Sequence, residues 1–480
     1  MNNTVLAIDA GTTNVRSLLV GGDGRVLASS VMRMKRNHPA PGLVEQDPEE
    51  IWSAVESTIA QAVKKAGIGP SDIAAVGITG QRSTAIVWER ATGKPAYPAV
   101  GWQDQRGKER SAELVAQGFI TVWPTTPAAK LEQILRAIPD GFKRMRREEL
   151  AWGNVDSFIA WRLSGGALHV TDYTNASGTG YFQYLDEWDW RDALLEVQGL
   201  DRSFFPQVVD TAGRIGLTSR RLLGKEVPIG AIIGDQQSAT YAQGCLKPGQ
   251  GKVTFGTSAT CDVNSGTELK LGAGSYPTVL WRRGDSYSYC LEGMVFTAGA
   301  VFDWLTGLGF IDHPSAAAAV AGCVKDSQGV FFLPSLQGLG TPHVDPERRA
   351  FFGGLTLGAT AAHFVRAAVE GVVFRVREMV DQIYQDSDLP LPELMRVDGG
   401  AAANDVFMQL LADVLGRPVD RMEPLEATAY GAAFLAGESC GLWEPWSIAH
   451  SRRSDRVFEP AWSEDQREER FYQWKKACQL

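Results

Sequence analysis

The sequence predicts an α/β protein built from two related halves, and three observations carry that expectation. Val5–Val20 (VLAIDAGTTNVRSLLV) is a pair of apolar runs joined by a polar Gly11-Thr12-Thr13 turn, which reads as a β-hairpin. Half a chain later, Lys252–Ser258 (KVTFGTS) repeats the order strand, glycine, hydroxyl, hydroxyl. A repeat so widely spaced points to two related domains and not to a short-period solenoid. Finally, the apolar runs at 73–79, 227–234 and 394–397 each end in polar or glycine-rich residues, as strands of an open sheet do at their ligand-binding ends. At 480 residues the chain is too long for one hydrophobic core. The expected division is 1–243 and 244–480.

Taken in order, Arg25–Val31 follows an Asp23-Gly24 turn as another strand. Asp47 is a good N-cap, Pro48 suits the first helical position, and Glu49 and Glu50 suit the first turn. Ile51, Trp52, Val55, Ile59 and Val63 then mark the packed face of that helix. Ile73–Thr79 is a buried strand that delivers Gly80-Gln81-Arg82-Ser83 to its C-terminal end. Asn154–Leu163 is a helix, and the polar stretch Thr171–Gly180 reads as a loop. Pro206–Val208 and Ile215–Leu217 are short edge or crossover strands. Val227–Gly234 is a buried strand with Asp235 at its tip.

In the second half, the small residues Ala298-Gly299-Ala300 allow close approach of a ligand or backbone. A long helix from about Ala361 to Ile383 carries the stripe Val365, Val369, Val372, Val376, Met379 and Val380. Leu394–Val397 ends in Asp398-Gly399-Gly400. Asn404 caps a helix that Gly416 and Pro418 terminate. Gly431-Ala432-Ala433 permits tight helix packing, and the polar tail after Arg452 reads as a surface helix.

Composition excludes several classes. A net charge of −9 disfavours nucleic acid as a partner. The basic stretch Lys143–Arg147 is followed by two glutamates and reads as a solvated helix face. No apolar stretch reaches the roughly 18 residues needed to span a bilayer. The N-terminus carries no basic region of a signal peptide. Six scattered cysteines without a C-x-x-C suit a reducing compartment, so the protein is expected in the cytoplasm. The dispersed histidines argue against a transition-metal site. Neither a Walker P-loop nor a G-x-G-x-x-G occurs.

Three constellations carry candidate chemistry. A Gly11-type turn offers backbone N–H groups and threonine hydroxyls to an anion, and Asp9 beside it can hold magnesium directly or through water. Equally, the stretch is an ordinary hairpin. Trp102-Gln103-Asp104-Gln105-Arg106 places a flat ring beside a carboxylate and a guanidinium, a mix suited to a polyhydroxy compound or to a surface loop with an ion pair. Asp235 is either a helix N-cap or a general base that accepts a hydroxyl proton in phosphoryl transfer.

Together, D-A-G-T-T, G-D-Q-Q, F-G-T-S, F-G-G-L and D-G-G-A-A-A-N resemble the FGGY carbohydrate kinases of the actin-like ATPase superfamily. GITGQR (77–82), TDYTNASGT (171–179), GDQQ (234–237), LEGMVF (291–296), RVDGGAAAN (396–404) and TAYGAA (428–433) are similar, in order, to segments of its glycerol kinase branch. The resemblance spans nearly the whole chain. It implies two actin-like (ribonuclease H-like) domains that close on an interdomain cleft holding ATP and Mg2+, with a small polyol as the other substrate. By analogy Thr12, Thr13, Asn14 and Arg16 contact nucleotide phosphates from the first domain. Thr257, Gly299, Gly400 and Asn404 do so from the second, and Asp303 stands where that branch places a glutamine near the nucleotide. Asp235 is the implied base, Arg82 and Gln236 bind substrate hydroxyls, and Asp9 lies near the magnesium.

Departures bear on the acceptor. That branch carries a glutamate where Ser83 stands and a tyrosine where Thr125 stands, whereas Trp102-x-Asp104-x-Arg106 follows many sugar kinases of the family. Both losses remove volume and a hydroxyl-binding partner, so the pocket is expected to be wider than one shaped for glycerol. The expected activity is ATP-dependent phosphorylation of a terminal hydroxyl of glycerol or a closely related polyol. The alternatives are a kinase for a four- or five-carbon polyol or ketose and, in another class, an actin-like ATPase chaperone or sensor. A homo-oligomer is compatible with the sequence.

Overall fold

The computed structural model describes residues 3–272 and 274–480. The chain folds as two compact units. The first holds residues up to Ala242 together with Thr278–Ser288 and Thr428–Ser451; the second holds Gln243–Pro277, Tyr289–Ala427 and Arg452–Leu480. Two later segments of the chain thus belong to the first unit.

In the first unit a six-stranded sheet runs Ala212–Leu217, Pro228–Gly234, Ile73–Gly80, Thr4–Ala10, Asn14–Gly21, Val26–Arg33. The predicted hairpin is present, with Asp9 opposite Arg16 and Ala10 opposite Val15. Strand Thr4–Ala10 also runs parallel to Ile73–Gly80, and that strand runs parallel to Pro228–Gly234. Asp9, Gly80 and Gly234 therefore stand at the same end of three adjacent strands. Asp47 caps helix Pro48–Ala66 by accepting from the Glu49 amide, and the helix buries Ile51, Trp52, Val55 and Ile59.

Helix Ala427–Ser439 packs on this sheet where side chains are missing. A Cβ at Gly77 would lie 2.3 Å from the Ala432 carbonyl oxygen, and one at Gly431 would lie 2.1 Å from that of Ser238. Glycine is required at both positions because backbone touches backbone.

The second unit repeats the plan. Strand Gly251–Phe255 pairs antiparallel with Ala259–Gly266, which pairs with Ser286–Val295. On its other side Gly251–Phe255 runs parallel to Met395–Asp398, followed by Val419–Glu423. A meander with parallel strands on its inner side is thus the shared unit behind the repeated strand-turn motif. Helix Ala361–Ser387 buries all six residues of its predicted stripe. Asn404 accepts from the Phe407 amide and caps Asp405–Leu415, which ends at left-handed Gly416.

Two expectations are corrected. Thr171–Gly180 is not simply a loop: Val170–Asp172 is a strand and Tyr173–Ser177 a helix, both largely buried. Its polar side chains bond Asp172, Asp156 and main-chain carbonyls, so polarity here does not mean exposure. The tail is not helix alone. Arg453–Phe458 forms an edge strand antiparallel to Val419–Glu423 before helix Glu464–Cys478 begins.

His169 gives the first unit a pH dependence. Its ring lies edge-on to Trp88 and Trp161, and Nε2 bonds the Trp152 carbonyl at 2.8 Å. Burial pushes its pKa down to about 4. The unfolded chain then takes up this proton before the folded one does, so stability is full above about pH 6.5 and falls as pH drops towards 4. Wild type is expected to lose about 1–2 kcal/mol more than His169→Gln between pH 7 and pH 5 in urea titrations.

Candidate active site

In the first unit the candidate residues gather at the ends of the three central strands. Asp235 begins helix Asp235–Ala242, and its Oδ1 accepts from Arg82 Nε at 3.3 Å. Both side chains are only partly exposed. Asp9 is partly buried two strands away in the same sheet, with Ile73–Gly80 between. Burial is the main force on it, Arg16 pulls the other way, and the charge of Asp235 adds to the rise; together they push its pKa up to about 7. The same desolvation lowers the Arg16 pKa, with Asp9 opposing. A cation at this point would stabilise two carboxylates that otherwise work against each other.

The phosphate-type turn is tied to the Trp102 loop. Trp102 Nε1 donates to Thr12 Oγ1 at 3.0 Å, and Gln46 Nε2 donates to the Thr12 carbonyl. The Thr13 carbonyl accepts from the Met34 amide. Asn14 is exposed at the start of its strand, and Gln236 is half-buried behind Asp235.

Two candidate side chains, Asp104 and Ser83, are bonded within the protein. Asp104 is fully buried and accepts from the Val44 amide, the Arg106 amide and both Nε and Nη2 of Arg106. A carboxylate has about four lone-pair sites, and these four donors use them. Asp104 therefore folds its own loop and does not meet a substrate hydroxyl. Burial opposes its ionisation, but Arg106 and the amides hold its pKa below the usual range. Ser83 sits at φ 60° and donates its hydroxyl to the Gly178 carbonyl at 2.8 Å. Thr125 offers its carbonyl to Lys130.

Lys130 is a residue that sequence reasoning missed. It is completely buried, and Nζ donates to the carbonyls of Gly101, Trp102 and Thr125. It holds the two candidate substrate loops to one point. A single lysine before a short helix carries no sequence signal for this, because its partners are main-chain atoms of other loops.

The second unit assembles its own set. Gly299 donates its amide to the Gly256 carbonyl, and a Cβ there would lie 2.4 Å from that oxygen. The amides of Ala298 and Ala300 bond the Thr257 carbonyl. Gly399 has φ 90° and lies against the Phe255 backbone, so the Gly399-Gly400 turn rests on the strand that leads into Gly256. Gly400 is exposed with open space above it. Asn404 follows one 3-10 turn later, its side chain already engaged as a cap. Asp303 is exposed on helix Gly299–Gly307.

Beneath these turns lies a buried polar chain. Lys252 pairs with Asp262 at 2.8 Å and donates to Thr254 Oγ1; Thr254 donates to Asp398 Oδ1, and Gln243 Nε2 donates to Oδ2.

Among the described residues no group of three or more His, Cys, Asp or Glu side chains could hold a metal by itself. No helix among them is long and apolar enough to cross a membrane.

The model for the FGGY family of carbohydrate kinases, N-terminal domain, matches residues 4–242, and that for the C-terminal domain matches 251–440. The chain is 42% identical to a glycerol kinase of Citrifermentans bemidjiense over 487 residues, covering 99% of this chain and 98% of that protein. It is 38% identical to glycerol kinase 2 of Thermotoga maritima, covering 98% and 97%. The crystal structure of Plasmodium falciparum glycerol kinase with ADP superposes with a TM-score of 0.90 at 28% identity, covering 99% of this chain and 98% of that one. A xylulose kinase from Rhodospirillum rubrum shares the fold, with a TM-score of 0.82 at 24% identity, covering 99% and 98%. With both halves matched in order and a relative this similar along nearly its whole length, the chain belongs to the FGGY family of carbohydrate kinases.

Proposed function

We propose that this kinase transfers the terminal phosphoryl group of ATP to a terminal hydroxyl of glycerol or a closely related small polyol. The observation that carries the reading is Asp235, a carboxylate at the end of a central strand, held by Arg82 and near enough to Asp9 for its charge to raise the Asp9 pKa. Asp235 takes the hydroxyl proton while the oxygen attacks the γ-phosphorus and the bond to the leaving ADP breaks. Arg82 and Gln236 bind neighbouring hydroxyls, and the Trp102 ring covers C–H surface. Thr12, Thr13, Asn14 and Arg16 contact the phosphates from the first unit. Thr257, Gly299, Gly400 and Asn404 hold the nucleotide in the second, with Asp303 close by.

Asp9 offers oxygen ligands of the kind magnesium prefers, and the charge of Asp235 adds to the negative potential there. With so few carboxylates present, the remaining ligands would be water and phosphate. When bound, the ion neutralises charge on the phosphates. The free state of all six cysteines supports a reducing, cytoplasmic setting.

A second reading, a kinase for a four- or five-carbon polyol or ketose, is favoured by Ser83, whose small hydroxyl is bound to Gly178, and by Thr125 in place of a larger ring. ADP release measured over glycerol, tetritols, pentitols and pentuloses separates the two. Turnover of glycerol supports the first; turnover of only longer acceptors supports the second. ADP release indifferent to every polyol points instead to an ATPase chaperone or sensor.

Lys130→Met is expected to raise the polyol KM by about tenfold while leaving the ATP KM within about twofold, because it frees the Trp102 and Thr125 carbonyls. Steady-state kinetics with each substrate varied checks this.

A further inference from the structure

We infer that Thr174, oriented by Asp172, is a positioning residue for Asp235; the inference rests on the reading of Asp235 as the base. Gly234 is the last residue of its strand and immediately precedes Asp235. On one side it pairs with Gly80. On the other, strand Ala212–Leu217 reaches only Ala231 in register. Beyond that point Thr211 and Thr174 replace the missing strand. Ile232 donates its amide to the Thr211 carbonyl at 3.1 Å, and Gly234 donates its amide to Thr174 Oγ1 at 2.7 Å.

The Thr174 hydroxyl cannot turn round. It donates to Asp172 Oδ1 at 2.8 Å, so its lone pairs are left for the Gly234 amide. Asp172 is itself fully buried and takes five donors: the amides of Thr174 and Asn175, the hydroxyls of Thr174 and Thr211, and Asn175 Nδ2. One carboxylate thus fixes both threonines that anchor the end of the strand. Arg82 is coupled to the same point: a Cβ at Gly234 would lie 2.7 Å from Arg82 Cδ. A shift of the backbone at Gly234 would move the base and its guanidinium partner together.

Thr174→Val removes the acceptor at nearly constant shape. It is expected to lower kcat by about 10–100-fold, because small displacements at a reacting centre cost rate, with the ATP KM changed by less than about twofold. Thr174→Ser keeps the hydroxyl and is expected within about threefold of wild type. Thr174→Cys offers only a weak sulfur acceptor, should follow valine, and serves if the valine variant does not fold. Wild-type kcat in the valine or cysteine variant, or a serine variant as slow as valine, overturns the inference. Asp235→Asn is assayed alongside. If that variant keeps wild-type turnover, the base assignment falls and the inference with it. If it is inactive while the valine and cysteine variants turn over normally, only the positioning role falls.

Discussion

Asp235→Asn is expected to lower kcat by about 10²–10⁴-fold, the usual worth of a positioned general base and about 3–5 kcal/mol of barrier. Asparagine keeps the shape, and its carbonyl oxygen can still accept from Arg82 Nε as Asp235 Oδ1 does now. What it cannot do is take the hydroxyl proton. Binding and chemistry should therefore separate: ADP affinity by calorimetry stays within about threefold while turnover collapses. A variant that keeps near-wild-type kcat would leave Asp235 as a helix-starting residue only.

Lys252→Met should unfold the second unit far more readily than a surface change, by about 3–5 kcal/mol, because it leaves buried carboxylates without their cation. Lys252 is completely buried, as is its partner Asp262. Its ammonium also bonds Thr254, which in turn holds Asp398 beneath the Gly399-Gly400 turn. Burial already raises the Asp398 pKa, with Lys252 opposing. An acid whose folded pKa is raised binds its proton more tightly when folded, so the folded state gains as pH falls. The penalty in Lys252→Met should accordingly shrink between pH 7 and pH 5. The pair Lys252→Met/Asp262→Leu should recover part of the loss, since apolar replacement of a whole ion pair is often nearly neutral. Urea titrations of the single and double variants at both pH values measure the coupling.

How legible these features were depends on how local their causes are. Asp47 caps its helix through an amide two residues away, so the tetrapeptide was enough. The hairpins at Gly11 and Gly256 follow from apolar runs around a glycine turn, and their recurrence exposed the duplicated plan. Strand Arg453–Phe458 was not legible: it lies on a sheet edge, mostly exposed, and is a strand because Val419–Glu423 is its neighbour. Thr171–Gly180 misled for the opposite reason. Its polar side chains are buried because Asp172, Thr174, Asn175 and Thr211 satisfy one another, and composition does not report pairing.

The candidate site divides in the same way. Sequence was sufficient to select Asp235, Arg82, Asp9 and the glycine turns, because each stands at the end of a recognisable strand and resembles a family motif. Only the tertiary structure removed Asp104 from the substrate list, since the Val44 amide that completes its shell comes from 60 residues away. Only the tertiary structure added Lys130, which holds main-chain carbonyls of other loops, and Thr174, which accepts from the Gly234 amide 60 residues away. Covalent neighbours and hydrophobic period are written along the chain, whereas the saturation of a buried polar atom depends on which distant groups folding brings to it.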